Sequence, residues 1–143
     1  VCMLGADKQK AWLSDQAFAQ KFGFETVDAT EYGYQLLACS LDGAVPRFSP
    51  AAKRGEIDGQ ELTVYYDFQC PYICQSVELI RQYCGERQIP VSLRLVDTQQ
   101  KAKELPCVFN NWAVFYQGKL QTVNLLDAAA LKRMFQREEG RPV

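Results

Sequence analysis

Six cysteines and no histidine bound the chemistry open to this 143-residue chain. Without an imidazole there is no Ser-His or Cys-His nucleophile, and no zinc site that uses histidine. A thiol at a helix N-terminus needs no imidazole. Unpaired backbone N–H groups and the positive end of the helix dipole favour its thiolate. Residues 62–74 read Leu-Thr-Val-Tyr-Tyr-Asp-Phe-Gln-Cys-Pro-Tyr-Ile-Cys. A β-rich run ends there in a Cys-Pro-Tyr turn and an amphipathic helix follows, so Cys70 is expected at the helix start. Pro71 suits the first helical turn, where its missing N–H would have had no partner. Asp67 is close enough in sequence to oppose ionisation of Cys70. Cys74 stands about one helical turn further on. Positions i and i+4 of a regular helix are poorly aimed for a disulfide, but a cap residue has more freedom. Cys107, next to Pro106, is an alternative partner for Cys70. The plainer readings are a small apolar cap for Cys70 and an ordinary helix cysteine for Cys74. Cys2, Cys39 and Cys84 lie in apolar patterns and are expected in the core.

The elements that must position these thiols follow from periodicity and punctuation. Val1–Leu4 is a short strand candidate. Ser14 or Asp15 caps a helix carrying Ala17, Phe18, Lys21 and Phe22, which Gly23 ends. Phe24–Val27 and Tyr34–Cys39 read as two strands. Residues 42–60 are broken by Asp42-Gly43, Pro46, Pro50, Gly55 and Asp58-Gly59, and read as a connector between units 1–41 and 61–143. Leu62–Phe68 is a strand. The helix from Pro71 to about Cys84 carries Ile73, Val77, Ile80 and Cys84 on one stripe, and Gly85 is its expected stop. Val91–Val96 is a strand, and Thr98 caps a short helix to Glu104. Ala113–Tyr116 and Leu120–Leu125 form a hairpin turning at Gln117-Gly118-Lys119. Asp127 caps a last helix with Ala128, Leu131, Met134 and Phe135 on one face. The class is α/β. From residue 62 the order β-α-β-β-β-α predicts a mixed four-stranded sheet with helices packed on it.

Composition excludes several functions. Formal net charge is −1, and no basic run suggests a nucleic-acid or membrane-surface partner. No stretch approaches the roughly 18 apolar residues of a membrane span. Only Cys70 and Cys74 have ligand-like spacing, so no metal site is expected. The six cysteines are irregularly spaced and no secretory leader is visible, which points to free thiols in a reducing, cytoplasmic setting. The start at Val1, already inside an apolar run, suggests a piece of a longer protein. Tyr65, Tyr66, Tyr72, Trp112 and Tyr116 are candidates to line a groove beside Cys70, although sheet packing explains such aromatics more simply.

Two resemblances carry these readings further. A strand that delivers Cys-Pro-Tyr onto a helix resembles the active-site entry of glutaredoxins and thioredoxins, except that the second cysteine is at Cys74 rather than one position earlier. Residues 62–137 resemble the thioredoxin-fold, YoaP-like domain that follows a GNAT-type acetyltransferase. The matching residues are Val64-Tyr65-Tyr66, Gln69-Cys70-Pro71, Pro106-Cys107 and Val114-Phe115-Tyr116-Gln117-Gly118-Lys119. Such folds carry a cis-proline in the loop that packs against the active-site helix; Pro106 lies farther from Gly118 than that proline usually does. Residues 1–41 resemble the C-terminal part of a GNAT domain through Lys21-Phe22-Gly23-Phe24 and the strand, helix, strand, strand order. The Gln/Arg-x-x-Gly-x-Gly/Ala loop that holds the acetyl-CoA pyrophosphate is absent, and Ala19 stands where that family often has tyrosine.

The resemblance implies the C-terminal portion of a GNAT-family N-acetyltransferase with an appended thioredoxin-like domain. It implies acetyl-CoA as cofactor of the parent, bound upstream of Val1 and not by these residues, and a small-molecule or peptide acyl acceptor. One alternative is a thiol–disulfide oxidoreductase using Cys70 with Cys74 or Cys107. The other is a non-catalytic module that docks a substrate or partner.

Overall fold

In the computed structural model, residues 1–8, 10 and 12–138 are described. Residues 139–143, the end of the expected second unit, lie outside them. Two sheets form. The first holds β1 (Cys2–Ala6), β2 (Glu25–Ala29) and β3 (Tyr34–Ala38), with α1 (Gln16–Lys21) between β1 and β2. Its order is β1-β3-β2, antiparallel throughout, with a register shift between Thr26 and Asp28. Asp15 caps α1 by accepting from the Ala17 N–H at 2.9 Å, and Gly23 takes the expected left-handed turn at φ 83°. Only Ala19 of α1 is buried, whereas Phe18 and Phe22 lie in the open with rings 5.0 Å apart.

The second sheet holds β4 (Leu62–Tyr66), β5 (Val91–Leu95), β6 (Trp112–Tyr116) and β7 (Lys119–Thr122), in the order β5-β4-β6-β7. β4 and β5 are parallel and joined through α2 (Pro71–Glu86); β6 and β7 are antiparallel to their neighbours. This is the mixed four-stranded sheet expected from the order of elements. Gln117 and Gly118 have φ 51° and 78°, the positive pair that a tight hairpin turn needs. A Cβ on Gly118 would sit 2.9 Å from the Ile57 carbonyl oxygen, so the turn also needs glycine for space. α3 (Gln99–Glu104) starts at Thr98, whose hydroxyl accepts from the Lys101 N–H at 3.2 Å. α4 (Ala128–Glu138) starts at Asp127, which accepts from the Ala130 N–H at 2.7 Å.

α2 departs from expectation at its end. Gly85 does not stop it; the helix runs to Glu86 and the left-handed residue is Gln88, at φ 54°. Packing outweighs the glycine's entropy cost here. Tyr83 stacks on Phe135 of α4 at 6.3 Å, and the Arg87 guanidinium lies 3.8 Å from the Tyr83 ring. Arg87 also donates to the Tyr83 carbonyl at 3.2 Å.

The four-stranded sheet is covered on both faces. Leu62, Val64 and Tyr66 alternate with Thr63 and Tyr65 along β4. The first set joins Trp112, Val114, the α2 stripe Ile73-Val77-Ile80-Cys84, and Leu131, Met134 and Phe135 of α4 in the main core. On the other face Ala113, Phe115 and Cys107 are buried beneath Tyr32, Ile57, Tyr65, Phe109, Leu120 and Val123.

Tyr32 and Ile57 come from outside the second unit. The connector is also hydrogen-bonded to both sheets. Asp28 on β2 accepts from the Phe48 N–H at 2.9 Å and pairs with Lys53 at 2.5 Å. Gly55 donates to the Pro106 carbonyl at 2.8 Å and accepts from the Leu120 N–H at 3.0 Å; Ile57 donates to the Gly118 carbonyl at 2.8 Å. Tyr32 donates its hydroxyl hydrogen to the Ala52 carbonyl and accepts from the Val108 N–H at 2.7 Å.

Every buried member of the main core lies between residues 62 and 135. Residues 61–143 expressed alone are therefore expected to unfold cooperatively. Their midpoint should lie below that of the whole chain, because Tyr32 and Ile57 no longer cover the second face. Thermal unfolding followed by circular dichroism checks this, and a structureless 61–143 would contradict it.

Candidate thiol site at the start of α2

β4 hands the chain to α2 through a short, hydrogen-bonded turn. The Asp67 N–H donates to the Asn111 carbonyl at 3.2 Å, and the Asp67 carboxylate accepts from the Gln69 N–H at 2.9 Å. Asp67 is buried, and this bond turns its carboxylate back onto its own loop. Cys70 is the N-cap of α2, extended at φ −123° and ψ 128°, with Pro71 as the first helical residue. Its carbonyl accepts from the Ile73 N–H at 3.0 Å, while its side chain makes no capping bond. The thiol is thus held at the positive end of a 16-residue helix.

All six cysteines are free. Cys70 is half-buried against the main core, and Cys74, one turn on, is exposed. Cys107 is not beside them. It lies 3% exposed on the opposite face of the sheet, with Ala113 and Phe115. Neither thiol stands in a strand: Cys70 caps α2, which packs on one face of the sheet, whereas Cys107 lies in the loop between α3 and β6 and packs on the other, a placement that sequence order alone could not assign. Of the three cysteines expected in the core, Cys84 is buried, Cys39 is half-buried and Cys2 is exposed on the outer strand β1. The expectation for Cys2 is corrected: it is the first residue of an edge strand, where no further strand covers it, and it is exposed. All described peptide bonds are trans, Pro106 included.

The five aromatics do not form one groove at Cys70. Tyr66, Trp112 and Tyr116 pack in or against the main core, Tyr65 lies on the other face, and Tyr72 is exposed. Phe68, also exposed, stands edge-on to Tyr66 at 5.6 Å. The Trp112 indole N–H is buried without a partner. Among the described residues no group of three Cys, Asp or Glu side chains is placed to hold a metal ion, and no helix is long and apolar enough to cross a membrane.

Burial sets the proton affinities on the second face. It pushes the Cys107 thiol up to about 12. It also pushes the Tyr32 phenol up to about 12, against the opposing effect of the Val108 N–H. In the unfolded chain such groups titrate near about 8.5 and 10. Between those values and about 12 the unfolded state has lost protons that the folded state keeps, so stability falls as pH rises. Stability should be fully retained below about pH 8.5 and should decline above it. Cys107→Ala should flatten the lower part of this decline, and urea titrations across that range measure it. An unchanged slope would mean that Cys107 ionises as freely in the fold as outside it.

Two features of the second face are not apparent from the sequence. Arg94 lies over Tyr65, and Arg54 and residues 56–59 of the connector border it. The Val91-Ser92-Leu93-Arg94-Leu95 alternation carried the signal for Arg94; the connector carried none.

The chain is an α/β protein with an antiparallel and a mixed sheet. Residues 90–133 match the model of the YoaP-like family. That stretch includes Pro106-Cys107 and Val114–Lys119 of the residues on which the resemblance rests, but not the Cys-Pro-Tyr turn. A protein of Bacillus subtilis (strain 168) named "Uncharacterized N-acetyltransferase YoaP" is 22% identical over 133 residues. The alignment covers 92% of this chain and 53% of that protein, so the chain spans about half the relative's length. Both matches support a relationship to the YoaP-like family. No solved structure matches the chain.

Proposed function

We propose that this chain is the C-terminal portion of a GNAT-family N-acetyltransferase carrying an appended thioredoxin-like, YoaP-like domain. The observation that carries the reading is the similarity to a protein named as an N-acetyltransferase, which runs across both sheets rather than along one of them. Two topological features support it. β1-α1-β2-β3 has the element order expected of the end of a GNAT domain, and β4-α2-β5-α3-β6-β7-α4 has that of a thioredoxin-like unit with the short α3 added between β5 and β6. In this reading acetyl-CoA binds outside these residues. Its phosphates need a cradle of backbone N–H groups at a glycine-rich turn, and this sequence has no such turn. The acceptor is a small molecule or peptide bearing an amine, and the setting is cytoplasmic. The test is acetyl transfer from labelled acetyl-CoA to a panel of amines, using a polypeptide extended to the length of the relative. Label incorporation supports the reading, and none with any amine argues against it.

A second reading is favoured by one specific observation: an unbonded thiol caps α2, with an exposed thiol one turn on. It assigns the second unit a thiol–disulfide exchange in which the Cys70 thiolate attacks a substrate disulfide and releases one substrate thiolate. Cys74 then attacks the mixed disulfide, releases the second substrate thiolate and leaves a Cys70–Cys74 bridge. Cys107 has no part in this scheme, being buried on the far face with its thiol held protonated.

A further inference from the structure

Two open cavities meet on the second face of the four-stranded sheet, of about 510 and 500 Å³. Tyr65, Arg94 and Glu104 line both. The first continues past Leu95, whose side chain is turned to the main core, and over Val96 and Leu105. The second continues past Arg54, Glu56 and Asp58 of the connector. Each has the size of a site for a small organic ligand.

Arg94 is fixed there by neutral groups. Its Nε donates to the Ser92 hydroxyl at 3.1 Å, one terminal nitrogen donates to the Tyr65 hydroxyl at 3.1 Å, and the guanidinium lies 5.5 Å from the Tyr65 ring centre. Tyr65 is itself held edge-on by Phe115 at 5.7 Å. No carboxylate among the described residues pairs with Arg94, so its orientation is set while its charge and remaining N–H donors stay unspent. Lys101, the other cation of the first cavity, pairs with Asp97 at 2.5 Å. Glu56, Asp58 and Glu104 form no ion pair among the described residues. A planar fork of donors held in place suits a carboxylate, and the Glu56 and Asp58 carboxylates that line the second cavity suit an ammonium.

We propose that this double cavity binds a small zwitterion, an α-amino acid or short peptide with both termini free. Its carboxylate lies on Arg94, its apolar side chain against Val96 and Leu105, and its ammonium faces Glu56 and Asp58. The assignment uses neither Cys70 nor any acyl transfer, so it stands or falls apart from both functional readings.

The probe is alanyl-leucine, titrated into the 143-residue chain in the millimolar range and followed by amide chemical shifts. Saturable shifts are expected at residues 54–58, 94–96 and 104–105. Alanyl-leucine amide should bind at least about tenfold more weakly, because the charged partner of the guanidinium is gone. Arg94→Gln should weaken the free dipeptide equally and leave the amide little changed. N-acetyl-alanyl-leucine should also bind more weakly, and Glu56→Gln with Asp58→Asn should abolish that difference. The proposal is overturned by the absence of saturable shifts with the free dipeptide or by equal affinity for the amide. Equal affinity for the acetylated dipeptide overturns the zwitterion assignment. Because the three ligands are compared on the unmodified chain, the outcome is decisive even if a variant fails to fold.

Discussion

Phe115→Ala is expected to lower the stability of the chain by about 3–5 kcal/mol, the usual cost of emptying a fully packed aromatic site. Phe115 is fully buried on the second face, edge-on to Tyr65 and in the cluster that Tyr32 and Ile57 cover. The substitution therefore opens a cavity where the connector, the β2–β3 turn and the four-stranded sheet meet. Its effect should reach beyond β6: amide exchange should quicken in β3 as well as in β6 and β7. Urea unfolding gives the size of the loss and hydrogen exchange gives its reach. A loss under about 1 kcal/mol would mean that the site is not closely packed. A full loss with unchanged exchange in β3 would mean that the two sheets are not coupled through Tyr32.

The second large effect concerns the thiol. In the thiol-exchange reading, Cys70→Ser should reduce dithiol-driven reduction of an aromatic disulfide by roughly a hundredfold or more, because the substitution removes the attacking atom itself. Cys74→Ser should behave differently. It keeps the attack and loses the resolving step, so when the reduced variant meets the disulfide with the dithiol withheld, a mixed disulfide on Cys70 should accumulate and be visible by intact mass. Cys107→Ser should leave the rate within a few-fold of the unmodified chain, since that thiol is buried on the other side of the sheet. Full activity in Cys70→Ser, or loss of activity in Cys107→Ser alone, would remove Cys70 from its role.

Local chemistry made much of the fold legible. The Ile73-Val77-Ile80-Cys84 stripe is the buried face of α2, Thr98 and Asp127 cap the helices they were expected to cap, and Gln117-Gly118 makes the hairpin. Cys70 stands at the helix start that the Cys-Pro-Tyr turn implied. What stayed hidden depended on long-range packing. The glycines and prolines of residues 42–60 read as a spacer, yet the Gly55 and Ile57 N–H groups donate to the Pro106 and Gly118 carbonyls. Gly55 is required there, since it sits at φ 64° and its Cβ would come 2.7 Å from the Tyr32 ring. Gly85 read as a stop, but Tyr83 and Arg87 carry α2 beyond it through contacts with α4 and with each other. The opposite faces of Cys70 and Cys107 were hidden for the same reason: which face of the sheet α2 and the α3–β6 loop each cover is decided by packing between distant elements.

The acetyl-transfer reading meets its most direct test in calorimetry with acetyl-CoA on two polypeptides. One is the 143-residue chain; the other is extended at its N-terminus to the length of the Bacillus subtilis relative. Binding in the micromolar range is expected of the extended polypeptide, and none, or only weak binding, of the shorter chain. Micromolar binding by the 143 residues would reveal a phosphate site within them, and no binding by the extended polypeptide would contradict the acetyltransferase assignment outright.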